Sequence, residues 1–189
     1  MLLRSGALLA LLCGCPRPTI GPPQCTPQRV QGDLAQPVQL LPITLDGNGN
    51  LNALHDGDSL LLQKPPQGGF VLYAGAAARN VEACNAMLTA QLLDAATSLP
   101  ITGIDQRPTA FVVERDGYFW PVDGYTQAGN IPACPDVLGK GVLARNAILR
   151  VDVTDAGGRS ARVEVSVKAV CESGDQDCAC ACGPTPGKC

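Results

Sequence analysis

The clearest pattern in the chain is a strict alternation close to its C-terminal end. In residues 147–154, Leu149, Val151 and Val153 alternate with Arg150, Asp152 and Thr154. After Asp155-Ala156-Gly157-Gly158, Ala161, Val163, Val165 and Val167 alternate with Arg162, Glu164, Ser166 and Lys168. A period of two on both sides of a turn predicts an antiparallel hairpin with one buried and one wet face. Arg150, Asp152, Arg162 and Glu164 then form cross-strand pairs on the wet face, each contributing under about 1 kcal/mol. Upstream, Val38 to Leu45 predicts a strand that stops at the turn run Asp46-Gly47-Asn48-Gly49-Asn50. Ser59 to Gln63 predicts a short strand, Pro65-Pro66 and Gly68-Gly69 a break, and Phe70 to Tyr73 a further strand. Thr109 to Arg115 meets Asp116-Gly117 and returns as Tyr118-Phe119-Trp120, and Asp-Gly between apolar runs is a hairpin signal.

Two stretches are less sharply patterned. Residues 80–97 fit two templates. Cys84, Ala86, Leu88, Ala90 and Leu92 alternate as in a strand, while Val81, Cys84, Leu88, Leu92 and Ala95 share one helical face. The β character of everything around them favours the strand. Residues 123–141, with Gly124, Gly129, Pro132, Cys134, Pro135, Gly139 and Gly141, predict a long loop. The short, evenly spaced strands together predict an all-β fold, an antiparallel β-sandwich over residues 36–171. Its closing hairpin resembles, in pattern only, the last two strands of an immunoglobulin-like or fibronectin-type sandwich. The Cys…Trp…Cys spacing of true immunoglobulin domains is absent.

The ends have a different grammar. Residues 16–37 hold six prolines and little periodicity, which predicts a semi-extended tether (residues 15–35) ahead of the domain. Residues 172–189 form a cysteine-rich tail without apolar alternation, too short to fold without crosslinks. At the start, Arg4 is followed by the apolar run Ala7-Leu8-Leu9-Ala10-Leu11 and then Leu12-Cys13-Gly14-Cys15. One basic residue ahead of a short apolar run is the form of an export signal, here residues 1–14. The run is too short for a membrane span, which needs about 20 apolar residues. Leu12 to Cys15 resembles the lipobox of bacterial lipoproteins, in which a small residue precedes the modified cysteine. Gly14 before Cys15 fits, bulky Leu12 before Cys13 does not, and Cys13 inside the box departs from the usual alanine, serine or threonine. The resemblance implies cleavage before Cys15, a diacylglyceryl group on its sulfur, and a membrane as partner through that lipid. Pro16, in place of aspartate, resembles the pattern sent to the outer membrane in Gram-negative cells. The alternative is an ordinary cleaved signal and a secreted, non-lipidated binding protein.

Charge and cysteines narrow the function. Without Arg4, 13 basic residues face 17 acidic ones, a net charge of −4 with no basic cluster, so nucleic acid is excluded as a partner. Setting aside Cys13 and Cys15 leaves eight cysteines: Cys25, Cys84, Cys134, Cys171, Cys178, Cys180, Cys182 and Cys189. An even number in an exported chain predicts disulfides, with Cys84–Cys134 the expected pair inside the domain body. Cys178, Cys180 and Cys182, spaced two apart, should each reach a different partner. The alternative is a soft-metal site for zinc or copper(I) at the tail, although this spacing differs from the usual zinc pairs and no histidine is near.

The remaining chemistry is sparse. Asp46, Asn48 and Asn50 take the first offsets of a calcium loop, but Leu51 and Gly57 stand where that loop needs glycine and glutamate, so a hydrogen-bonded turn is expected. His55 is the sole histidine, and no serine sits in a Gly-x-Ser-x-Gly elbow. Trp120 with Tyr118 and Phe119 reads as a core or edge cluster sooner than a ligand platform. No catalytic residue and no cofactor is indicated. The sequence therefore predicts a lipid-anchored envelope protein with a non-enzymatic binding or structural domain, whose partner would be a protein or glycan of the envelope.

Overall fold

The computed structural model describes residues 30–134, 141–143 and 145–184. The signal-like segment 1–14, Cys15, Cys25, Cys189 and most of the tether lie outside the described residues.

The first half of the domain supplies β1 (Val30–Gln31), β2 (Gln39–Leu45), β3 (Leu51–Ala53), β4 (Asp58–Gln63), β5 (Phe70–Arg79), β6 (Val81–Glu82) and β7 (Ala86–Asp94). The second half supplies β8 (Asp105–Thr109), β9 (Phe111–Arg115), β10 (Tyr118–Pro121), a short helix α1 (Gly124–Gln127), β11 (Gly129–Cys134), β12 (Ala147–Thr154) and β13 (Ser160–Val170). A second helix, α2 (Gln176–Cys182), closes the described chain.

The fold is all-β, as its patterning requires, and its hub is β5. Nine of its residues, Phe70 to Ala78, are buried on both faces, which explains an apolar run with no alternation. Along one edge β5 pairs first with β4 (Leu72 opposite Leu62) and then with β2 (Ala74 to Arg79 opposite Thr44 to Gln39). Along the other it pairs with β11 and, at Ala78, with Phe119 of β10. Small residues in the middle of β5 let neighbours approach closely. Gly129 of β11 is required for the same reason, since a Cβ there would run into the Ala74 carbonyl and the Ala90 methyl.

From β4 the sheet curls onward through β13, β12, β7 and β8. One core joins the two regions, with Leu88, Leu92, Leu149, Val151 and Val153 packed with Leu72, Ala76, Ile131 and Phe111, all essentially inaccessible to water. Each such leucine contributes about 1.5–3 kcal/mol by leaving water.

The closing hairpin has the expected register, with Arg150 opposite Glu164 and Asp152 opposite Arg162. Their side chains are 2.7 Å apart in both pairs. Within residues 80–97 the structure is strand, not helix, as β6 (Val81–Glu82) and β7 (Ala86–Asp94): Leu88, Ala90 and Leu92 of β7 face the core, and β7 pairs with both β8 and β12.

Three expectations are corrected. The sheet is mixed, not purely antiparallel, because β13 runs parallel to β4 from Val167–Asp58 to Val170–Leu61. Alternation specifies which face is buried but carries no strand direction, and no tight turn joins these two strands to impose one. The long loop contains a strand: Gly129–Cys134 pairs with β5 on one side, so Pro132 can sit in it without interrupting a second ladder. Pairing begins inside the stretch read as tether, where Val30 and Gln31 lie opposite Glu82 and Val81. The cysteine-rich tail carries α2, with Asp175 at its N-cap accepting from the Cys178 N–H at 2.9 Å.

Candidate functional site

The six cysteines among the described residues are crosslinks. Cys134 bonds Cys182 across 48 residues, and Cys171 bonds Cys178 across 7. Cys84 and Cys180 are disulfide-bonded as well. The expected Cys84–Cys134 pair is therefore wrong: proximity in the folded chain brings Cys134, at the end of β11, to the last turn of α2 instead. The expectation that alternate tail cysteines reach different partners holds for Cys178 and Cys182. Cys178, Cys180 and Cys182 are all disulfide-bonded and so are not thiolates, and the described residues contain no group of three or more metal-ligating side chains.

The other candidates resolve in turn. Asp46 accepts from the backbone N–H groups of Asn48 and Asn50, both at 2.9 Å, and from the side-chain amides of Asn50 and Asn52. The Asn50 backbone N–H is the main cause that holds its carboxyl below the usual carboxylate range. Its oxygens are thus spent on the turn, as expected of a side-chain-stabilised loop. His55 is exposed and lies 3.5 Å from Asp58 through Nδ1, and among the described residues no hydroxyl hydrogen-bonds its ring. Trp120 is buried, with the Arg115 guanidinium 3.9 Å above its ring centroid and its indole N–H donating to the Arg115 carbonyl. A ring face covered by the protein's own arginine is part of the fold's edge cluster.

A polar clamp at the base of the tether was not foreseen. Asp155 has a fully buried carboxylate that accepts from Arg159, at 2.6 Å from its Nη2 and at 2.9 Å from its backbone N–H. Burial alone would raise this carboxyl, but the hydrogen bonds from Arg159 and from the Glu82 N–H outweigh it and leave the pKa lowered. Arg159 reaches on to the Leu34 carbonyl at 3.0 Å and the Asn80 carbonyl at 2.8 Å. Asn80, itself left-handed, accepts from the Asp33 N–H and donates to the Pro37 carbonyl. Gly32, at φ +92°, lets the chain pass against Asn80 where no side chain would fit.

Two adjoining hollows form the other feature that spacing alone did not reveal. The β12–β13 ladder ends at Ala147 opposite Val167, where the parallel pairing of β13 with β4 begins. Beside this point lies a hollow of about 330 Å³ whose lining includes Gly57, Asn146, Ser166 and Lys168. It shares Ala95 and Asn146 with a second, of about 390 Å³, between Asp94 and Arg145. Asp94 is 3.5 Å from Arg145 and also accepts from Ala96 and Thr97. The Thr97 N–H is the chief cause of its lowered pKa. These residues come from four separate segments, and no short motif announces them.

No family model, curated protein or solved structure matches this chain. What the molecule itself displays is a crosslinked all-β domain with a polar groove at one end of its sheet.

Proposed function

We propose that this chain is exported, processed before Cys15 and held to a membrane by lipid on that cysteine, where its β domain acts as a binding or structural module and not as an enzyme. The observation that carries the reading is that all six cysteines among the described residues are disulfide-bonded, which fits an oxidising compartment outside the cytoplasm. The lipobox-like Leu12-Cys13-Gly14-Cys15 after its apolar run supports the same location and adds the anchor. Among the described residues no helix is long and apolar enough to cross a membrane, so in this reading attachment falls to the acyl chains. Pro16 after the modified cysteine favours the outer membrane, where a protein or glycan of the envelope would be the partner. The non-enzymatic part rests on His55, which is solvent-exposed and has no hydroxyl or thiol partner among the described residues. The immunoglobulin-like description of the domain belongs to the same proposal. The closing hairpin supports it, and the parallel β4–β13 pair departs from it.

Fractionation of cells expressing the full chain and its Cys15→Ala variant tests the anchor. The parent chain is expected with the membranes and the variant in the soluble or unprocessed pool. Recovery of both in the soluble pool would contradict lipid attachment.

A further inference from the structure

The turn between β2 and β3 places an exposed, unengaged carboxamide beside a glycine nitrogen. Asn48, at the tip of that turn, is the chain's sole asparagine followed by glycine. Its side chain is exposed, and among the described residues its carboxamide makes no hydrogen bond. The neighbouring asparagines differ on both counts. The amides of Asn50 and Asn52 donate to the Asp46 carboxylate, and Leu51 and Ala53 follow them in the chain. Asn80 is buried, and its amide is spent on the Pro37 carbonyl and the Asp33 N–H. Gly49, at φ +84°, has no Cβ to shield its backbone nitrogen from the Asn48 side chain. What restrains that nitrogen is the turn itself. The Gly49 N–H donates to the Asp46 carbonyl at 3.1 Å, and the Asp46 carboxylate holds the loop closed through the Asn48 and Asn50 N–H groups.

We propose that Asn48 is a site of spontaneous covalent modification through an intramolecular imide, and that Asp46 gates its rate. The Gly49 backbone nitrogen, having lost its proton to hydroxide, attacks Cγ of Asn48. The N–Cγ bond forms, the Cγ–Nδ2 bond breaks, and the amide nitrogen leaves as ammonia with a proton taken from water. Water then opens the five-membered imide at either carbonyl, giving aspartate or isoaspartate at position 48. Nothing is oxidised or reduced, and water is the one co-reactant. The attack needs the Gly49 nitrogen released from the Asp46 carbonyl, so it proceeds from a locally opened turn whose population Asp46 keeps low. Each conversion adds one negative charge to a chain of net charge −3. Isoaspartate also adds a main-chain methylene between Asp46 and Asn50, whose N–H and carbonyl now bond at 2.9 Å. Gly49 lies against Tyr125, whose ring meets that of Tyr73 edge-on with centroids 5.1 Å apart, so the change is felt at that aromatic pair. The inference goes beyond the export and binding reading above and does not depend on it.

The test is peptide mapping by mass spectrometry of the folded, oxidised chain after incubation at mildly alkaline and mildly acidic pH. Asn48 is expected to lose its amide progressively, faster in the alkaline sample, with isoaspartate among the products and with Asn50, Asn52 and Asn80 intact. Asp46→Ala should speed the conversion severalfold, because the turn opens more often. Asp46→Ser, whose hydroxyl can still accept one of the loop's N–H bonds, should fall between that variant and the parent. Asn48→Gln should abolish the conversion, since the longer side chain disfavours the five-membered ring. It leaves the turn intact, because Asn48 joins the Asp46 carboxylate through its backbone N–H alone. Retention of the Asn48 amide as complete as that of Asn50 and Asn52, aspartate without isoaspartate, or equal rates in the parent and both Asp46 variants would overturn the proposal.

Discussion

The closing hairpin and the C-terminal helix pack into the same core and are held there by different physics. In the hairpin, Leu149, Val151 and Val153 face inward from β12 while a continuous antiparallel ladder from Ala147 to Thr154 ties it to β13. In α2, only seven residues long, Cys178 and Cys182 are the buried positions, and each is fixed to the body by a disulfide. A helix this short has no independent stability in water. Its cysteine sulfurs do what leucines do in the hairpin. They fill the core, and they also tie the helix covalently to β11 and to the end of β13. The cysteine-rich segment therefore behaves as a covalently fastened cover for the open end of the sheet. Gly141 packs directly against the backbone at Gly183, and the Val142 and Leu143 N–H groups donate to the Cys182 carbonyl at 3.1 Å.

Breaking the longer crosslink should separate the two regions most sharply. Replacing Cys134 and Cys182 together by serine opens a 48-residue loop and should cost about 4 kcal/mol on chain entropy. Thermal unfolding should register this as a fall in Tm of about 10 °C or more. Hydrogen exchange should become faster in α2 and residues 141–143, and change little in β12. Equal loss of protection in both regions would mean that the hairpin depends on the tail after all.

The clamp is the next largest effect. Asp155→Asn leaves Arg159 without its buried counter-charge and should cost about 3 kcal/mol. The sign of its pH dependence follows from the lowered pKa. The ionised carboxylate stabilises the fold fully above the unfolded carboxylate pKa of about 4, and that stabilisation is lost as pH falls through the lower folded value. The parent chain should therefore lose stability on acidification through that window, whereas the variant should show a flatter acid limb in pH-dependent denaturant melts. Parallel acid limbs would remove Asp155 from the account.

Opening the Cys171–Cys178 bond is expected to cost less, about 2 kcal/mol, because its loop spans only 7 residues. A double serine variant with a loss as large as that of the 48-residue loop would show that burial, not loop length, governs the tail. The smallest effect belongs to the wet face of the hairpin. Arg162→Gln, which loses its contact to Asp152, should lower Tm least of these variants, and by less still at high salt.

The same contrast explains how much of the molecule could be read from residues alone. Alternation in 147–168 defined the hairpin down to its cross-strand charge pairs, because burial of one face leaves only one register. Strand β7 was legible for the same reason once its surroundings were known to be β. The direction of β13 relative to β4 was not, since alternation looks the same in parallel and antiparallel partners. Gly129 and Pro132 read as loop residues because both are loop formers by themselves, yet close approach to Ala74 and a single-sided ladder make them suitable for β11. The disulfide partners were hidden by the fold itself, as Cys134 meets a helix 48 residues away. The groove drew Asp94, Arg145, Asn146 and Lys168 from three strand ends, and the clamp drew Asp155 and Arg159 to Leu34 and Asn80. Such convergence leaves no local mark in a sequence.

The export reading is tested most directly by the intact mass of the purified protein under non-reducing and reducing conditions. A chain that begins at Cys15, carries the mass of its acyl groups and gains two hydrogens for each of four disulfides on reduction is the predicted result. An unmodified chain that begins at Met1, or one whose mass does not change on reduction, would contradict it.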